Sequence, residues 1–265
     1  MSEPVVQNTA LRKLAAGEPV LILSIRQFRT PDAALIVRET GFDGFYVDRE
    51  HGTFSDAETA ALCTAGLMAG LLTAVRVRAN TPADIAIAMD AGALAVIVPH
   101  VGTAAEAEAA VHAAKYPPLG GRSLSALGPM TGYKSVPTAE TIRQVNAATM
   151  VFAMVETEEG VANAEAIAAV PGVDVLMIGP SDLSNEFGIP GQVKHDRIRD
   201  AYHRVAAAAK KHGKHMVGGG AGGPDIAEMT ALGARILMGG TDVGYMMGAA
   251  RTAATRMRQE ASSTT

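Results

Sequence analysis

The chain has 265 residues, of which 48% are hydrophobic and 19% are charged, and its formal net charge is −4. This composition excludes intrinsic disorder and fits one domain over residues 1–265, because an α/β barrel takes about 250 residues. Acidic and basic residues are interspersed, so we expect no nucleic-acid partner, and no apolar run reaches the roughly 18 residues of a membrane span. The single cysteine, Cys63, permits no intrachain disulfide, and we expect a cytoplasmic location.

Short apolar runs alternate with Ala-rich segments of helical periodicity along the chain. The predicted strands are residues 20–25, 44–47, 73–77, 95–99, 151–155, 175–178, 215–217 and 235–238. The predicted helices are residues 31–40, 56–69, 82–91, 103–115, 158–169, 197–211, 225–232 and 243–260. Eight such units predict a closed (β/α)₈ TIM barrel. An open doubly wound sheet is the alternative, but its Gly-rich fingerprint after the first strand is missing.

Two stretches depart from this repeat. Residues 116–138 are rich in Gly, Pro and Ser and are too long for an ordinary connection, so we expect them to cover the active site. Residues 218–223 read Gly-Gly-Gly-Ala-Gly-Gly and follow the seventh predicted strand. That run fits a phosphate-binding loop or a tight loop that admits a substrate or neighbouring backbone, and the sequence does not decide between them.

Carboxylates follow the fifth and sixth predicted strands, where barrel enzymes carry their chemistry. Glu156 ends one apolar run and Asp182 comes just after the next. Burying such a carboxylate costs several kcal/mol unless it is paired or bound to metal, so the two suggest a divalent cation such as Mg²⁺, Mn²⁺ or Co²⁺. Ion pairs with Arg76, or caps of the following helices, are the alternative interpretation.

A candidate for general acid–base catalysis follows the second predicted strand. His51 follows Asp48 and Glu50, and either carboxylate is close enough in sequence to orient the imidazole for proton transfer. Arg76 ends the third strand and suits a developing enolate oxygen or, alternatively, a structural ion pair. Every lysine falls in a predicted helix or loop, which argues against a Schiff-base aldolase and for a metal as electron sink.

Several short motifs occur together at these positions: Asp48-Arg49-Glu50-His51-Gly52, Val75-Arg76, Val98-Pro99, Tyr116-Pro117-Pro118, Val155-Glu156-Thr157 and Ile178-Gly179-Pro180-Ser181-Asp182-Leu183-Ser184. In order and spacing they resemble the HpcH/HpaI family of class II pyruvate aldolases. The resemblance covers nearly the whole chain and implies a TIM barrel of the phosphoenolpyruvate/pyruvate-binding type.

The resemblance implies reversible cleavage of a 4-hydroxy-2-oxo acid to pyruvate, or a close analogue such as hydroxypyruvate, and an aldehyde. It implies that Glu156 and Asp182 ligate the metal, that Arg76 steadies the pyruvate enolate, and that His51 is the base through a metal-bound water, with Asp48 beside it. The pyruvate carboxylate would lie against the Gly179-Pro180-Ser181-Asp182 segment. The family also implies a homohexamer, a trimer of dimers with a swapped C-terminal helix.

Other functions remain open at this point. A metal-dependent 2-oxo acid decarboxylase or a CoA-ester lyase would use similar chemistry, and a non-catalytic metabolite-binding barrel is a further alternative. The chain also departs from the family pattern at Arg49, at Ser123 and in the segment Ser24-Ile25-Arg26. These departures leave the acceptor aldehyde undetermined.

Overall fold

A computed structural model describes residues 5–125, 127–220 and 225–263. Its centre is a closed barrel of eight parallel strands in sequence order, with β8 paired to β1. The strands are β1 (Val20–Ile25), β2 (Gly44–Asp48), β3 (Leu72–Arg76), β4 (Ala95–Val98), β5 (Met150–Val155), β6 (Val175–Ile178), β7 (His215–Gly219) and β8 (Ile236–Thr241). The closed topology confirms the predicted TIM barrel, and it excludes the doubly wound sheet.

Helices surround the barrel and connect its strands. They are α1 (Thr9–Ala15), α2 (Ala33–Glu39), α3 (Asp56–Met68), α4 (Pro82–Asp90), α5 (Ala104–Ala114), α6 (Thr138–Ala148), α7 (Glu158–Ala162), α8 (Ala164–Ala169), α9 (Pro180–Glu186), α10 (Asp196–Lys211), α11 (Ile226–Ala231) and α12 (Asp242–Ser262). Helices α1, α6 and α9 were not predicted. The helix predicted over residues 158–169 is divided at Asn163 into α7 and α8.

The core has two layers. Side chains from alternate strand positions, among them Ile22, Ile97 and Phe152, fill the barrel interior. A second cluster fills the space between the strands and the helices, where Leu62, Ile85 and other apolar residues pack. Strands β2 to β6 are buried at every position, which is why they read as continuous apolar runs.

Local sequence signals account for several helix ends. Ser55 and Glu58 form a capping box at the start of α3, and Thr103 and Glu106 form another at the start of α5. The glycines at positions 41, 92, 213 and 233, expected as left-handed residues after helices, all have positive φ. The abrupt turns that place each strand are therefore encoded locally.

The long connection at residues 116–138 lies at the opposite end of the barrel from the strand C-termini. It joins α5 to α6, and α6 leads into the start of β5, so the connection lies beside the N-terminal ends of the strands. Arg122 pairs there with Asp90 at the end of α4, at 2.5 Å, and Pro129 lies beside Gly92. The expectation that this loop covers the active site of its own chain was therefore wrong.

The last helix, α12, packs only its beginning on the barrel, against β1 and β8. Of its 21 residues only Asp242 is buried, and the exposed ones include Tyr245, Met246 and Met257. Within the described residues, no helix combines the length and apolarity required to cross a membrane.

Candidate active site

A cavity of about 280 Å³ opens at the C-terminal ends of the strands. Strands β1, β3 and β8 and the start of α9 contribute to its walls, and the charged residues that line it are Arg26, His51, Arg76 and Asp182. A groove of about 640 Å³ lies at the other end of the barrel, beside the 116–138 connection. Although the groove is larger, the cavity is the candidate active site because the buried acidic and basic side chains converge on it.

Arg76 and Asp48 form a buried ion pair at the ends of β3 and β2. Arg76 donates from Nε to Asp48 Oδ1 at 2.9 Å and from Nη2 to Oδ2 at 2.6 Å, and its Nη1 lies 2.8 Å from Glu50 Oε2. Burial opposes ionisation of Asp48, but the hydrogen bonds and charge of Arg76, the backbone N–H of His51 and the charge of Arg26 together outweigh burial and lower the pKa of Asp48. The suggested pairing of Arg76 with Glu156 is not the one observed.

Glu156 is 1% exposed, and only one of its two carboxylate oxygens accepts a hydrogen bond from the part of the chain that the structure describes. Its Oε1 accepts a hydrogen bond from the backbone N–H of His100 at 2.7 Å, whereas its buried Oε2 has no hydrogen-bond partner among the described residues. Burial raises the pKa of Glu156 to about 7, although the His100 contact opposes the shift. A Cβ at position 179 would lie 2.2 Å from this Oε2, so Gly179 is required for the close approach.

His100 connects two acidic side chains at the cavity. Its Nδ1 lies 3.2 Å from Glu156 Oε1 and its Nε2 lies 3.1 Å from Glu50 Oε1. Ligand atoms of these three residues lie within 4.8 Å of one another, which makes them a possible metal-binding triad. His100 also has a φ of 55°, a strained value for a non-glycine residue that is typical of functional positions.

The sequence did not assign this role to His100. His100 was not a candidate in the sequence analysis, since a single histidine after Val98-Pro99 carries no spacing signal for a metal. The triad arises because the ends of β2, β4 and β5 meet at one rim of the closed barrel.

The segment from Gly179 to Asp182 forms the start of α9 and lines the cavity. Gly179 donates its N–H to the carbonyl of Val155 at 3.2 Å, and Pro180 has no N–H. Of this segment, the first-turn N–H groups of Ser181 and Asp182 therefore remain for an anion. Asp182 lies near enough to Glu156 for its negative charge to contribute to the raised pKa of that residue.

His51 lies at the mouth of the cavity with about half of its side chain exposed. Its backbone N–H donates to Asp48 Oδ1 at 3.2 Å, and its ring Nε2 lies 3.9 Å from Glu50 Oε2. Asp48 therefore holds the backbone of this residue, and Glu50 is beyond hydrogen-bonding distance of the imidazole. The ring is free to turn toward a ligand.

No lysine lines the cavity in the described part of the chain. The buried Lys115 is at the opposite end of the barrel, where its Nζ donates to the carbonyls of Thr149 and Asn146. The site geometry therefore offers no amine for a Schiff base, in agreement with the reading of the sequence.

Comparisons with known proteins agree with this description. Residues 27–249 match the HpcH/HpaI aldolase/citrate lyase family. The chain is 38% identical to a 4-hydroxy-4-methyl-2-oxoglutarate aldolase of Chaetomium globosum over 79% of this chain and 78% of that protein. It is 35% identical to a hydroxypyruvate/pyruvate aldolase of Sagittula stellata over 70% and 73% of the two chains.

Among solved structures, an HpcH/HpaI aldolase from Desulfitobacterium hafniense superposes with a TM-score of 0.87 at 30% identity, over 94% of this chain and 96% of that one. Fold, site and relatives together define the class of protein: it is an aldolase, a carbon–carbon lyase on a (β/α)₈ barrel. More narrowly, the chain belongs to the HpcH/HpaI aldolase/citrate lyase family.

Proposed function

We propose that this protein catalyses the reversible, divalent-metal-dependent cleavage of a 4-hydroxy-2-oxo acid to pyruvate, or a close analogue such as hydroxypyruvate, and a carbonyl compound. The observation that carries the proposal is Glu156, a buried carboxylate whose unpartnered oxygen lies against Gly179, a residue of the cavity wall. The named activities of the relatives from Chaetomium globosum and Sagittula stellata support the same reaction class.

The residues present fit a divalent cation. Glu156 offers its unpartnered Oε2, Gly179 leaves room beside that oxygen, and Asp182 supplies a second carboxylate at the cavity. We propose Glu156 and Asp182 as the protein ligands; Glu50 and His100, the other two members of the triad around Glu156, are the neighbouring groups. When bound, Mg²⁺, Mn²⁺ or Co²⁺ would supply Lewis-acid stabilisation of negative charge on the 2-oxo acid.

The side chains of this chain would bind the substrate and move its proton. Arg76 directs two N–H groups to Asp48, and its Nη1 lies against Glu50. Each terminal nitrogen keeps a second hydrogen that could bond to the C2 oxygen on which charge develops. The N–H groups of Ser181 and Asp182 would receive the substrate carboxylate. His51, with its free ring at the cavity mouth, would accept the C4 hydroxyl proton as the C3–C4 bond breaks.

The experiment is a metal-addition assay. Protein stripped with EDTA is supplied with Mg²⁺, Mn²⁺ or Co²⁺ and a panel of 4-hydroxy-2-oxo acids, and pyruvate is followed through lactate dehydrogenase and NADH. We expect pyruvate release that requires the metal and is lost in Glu156→Gln but kept in Glu165→Gln, a change at an exposed glutamate paired with Lys211. Metal-independent release, or no release from any acid in the panel, contradicts the proposal.

We also propose that the chain acts as a single barrel domain in a cytoplasmic homo-oligomer, a trimer of dimers in which α12 packs on a neighbouring subunit. The exposure of α12 beyond Asp242 supports a partner for this helix. Light scattering coupled to size-exclusion chromatography tests the oligomeric state, and a monomer at micromolar concentration would contradict the assembly.

A further inference from the structure

Arg26 lines the cavity and has no role in the chemistry described above. It follows β1 directly, and 36% of its side chain is exposed. Its Nε lies 2.8 Å from Asp48 Oδ2, but this nitrogen has no hydrogen bond of acceptable geometry. The same Oδ2 already accepts a hydrogen bond from Arg76 at 2.6 Å. Arg26 thus adds a second positive charge beside Asp48, and its terminal nitrogens donate no hydrogen bond among the described residues.

The backbone at Arg26 is firmly held. The buried carboxylate of Asp242 accepts hydrogen bonds from the backbone N–H groups of Arg26 at 3.0 Å and of Gln27 and Phe28 at 2.7 Å each. A carboxylate with three such bonds fixes the connection after β1, so the Arg26 side chain starts from a rigid point. A guanidinium that extends from such a backbone and keeps terminal donors available suits bidentate binding of a carboxylate.

The barrel order indicates which part of a substrate would reach Arg26. Glu156 follows β5, and β5 lies four strands from β1 in either direction around the closed barrel. With its carboxylate end at Glu156 and Asp182, a bound 2-oxo acid would have its C4 substituents on the side of β1 and β8. The cavity wall there is formed partly by Gly239 and Gly240, which have no side chains to fill the space beside Arg26.

We propose that Arg26 binds a second carboxylate of the substrate, carried on C4, and so selects dicarboxylic 4-hydroxy-2-oxo acids. This inference rests on the proposed aldol cleavage. When the C3–C4 bond of such an acid breaks, the C4 hydroxyl loses its proton and C4 becomes the carbonyl of a second 2-oxo acid. The electron pair stays on C3 as the pyruvate enolate, which takes up one proton. No oxidant or reductant is consumed.

Two substrates that differ only at C4 test the proposal: 4-hydroxy-2-oxoglutarate, which carries a carboxylate there, and 4-hydroxy-2-oxopentanoate, which carries a methyl group. In Arg26→Met we expect the ratio of kcat/KM for the dicarboxylate over the methyl compound to fall about 10- to 100-fold, as for a lost charged hydrogen bond. The loss should come mainly from KM, and Arg26→Lys should restore part of the ratio. Arg29→Met, an arginine on the same connection that bonds to Thr53 outside the cavity, is the matched control.

The outcomes distinguish failure of the Arg26 inference from failure of the proposed aldol cleavage. An equal loss for both substrates means that Arg26 acts only through Asp48 and overturns the inference, as does an unchanged ratio. Failure of the unmodified protein to release pyruvate from either compound, or from the wider panel, overturns the proposed function itself.

Discussion

The substitution Glu156→Gln separates the two effects of a buried carboxylate at this site. In the metal-free protein the pKa of Glu156 is raised by burial from 4.5 to about 7. At about 1.4 kcal/mol per pKa unit, this shift corresponds to at most about 3–4 kcal/mol by which the ionised side chain destabilises the folded state. Glutamine keeps the shape without the charge, so it removes most of this penalty.

The direction in which pH changes the stability of the folded protein follows from proton linkage at Glu156. Below pH 4.5 the carboxyl group is protonated in both folded and unfolded protein, so Glu156 causes no pH-dependent loss of stability. As the pH rises to about 7, Glu156 ionises in the unfolded chain before it ionises in the folded protein, and the free energy of unfolding decreases. With EDTA present, Glu156→Gln should therefore be more stable than the unmodified protein at pH 8, and the difference should shrink toward pH 4.5.

Urea unfolding at pH 4.5, 6 and 8, with EDTA and then with Mn²⁺, measures this directly. Mn²⁺ at 100 times its Kd should stabilise the unmodified protein by about 2.7 kcal/mol and should leave Glu156→Gln unchanged. Glu165→Gln is the control, because the pKa of Glu165 is lowered by the hydrogen bond from Lys211 and the side chain is exposed. If Glu156→Gln is the less stable protein at pH 8 in EDTA, the reasoning about burial is refuted.

Three further substitutions test the site. Gly179→Ala places a Cβ 2.2 Å from Glu156 Oε2 and should weaken Mn²⁺ binding at least 10-fold by calorimetry, and unchanged binding would contradict the crowding argument. Arg76→Lys should lower kcat at least 100-fold, because one ammonium group cannot hold both oxygens of Asp48 and a substrate oxygen. Steady-state kinetics measure this effect, and a change in KM alone would contradict the role of Arg76. Asp242→Asn should reduce the free energy of unfolding by about 1.5–3 kcal/mol, since it weakens three charge-assisted hydrogen bonds, and an unchanged urea midpoint would contradict that role.

Much of the fold could be predicted from the chain because its signals are local. Strands buried on both sides read as apolar runs, and glycines after helices mark the left-handed residues that end them. The helices that were not predicted lack such clear local sequence signals. Helix α9 begins at the Gly-Pro-Ser-Asp motif interpreted as a strand end, and α6 follows the long Gly- and Pro-rich connection. The glycine run at residues 218–223 lies partly outside the described residues, so its role stays a prediction.

The sequence by itself indicated the carboxylates and the arginine of the candidate site, because each ends or closely follows an apolar strand and all barrel strands end at one rim. Only the tertiary structure decided their partners. Arg76 binds Asp48 and Glu50 and not Glu156, His100 joins Glu50 to Glu156, and Arg26 lies against Asp48 at the cavity wall. The reason is physical: strand order fixes which residues reach the cavity, but distances of about 3 Å between side chains depend on barrel closure and on packing, which one-dimensional spacing does not contain.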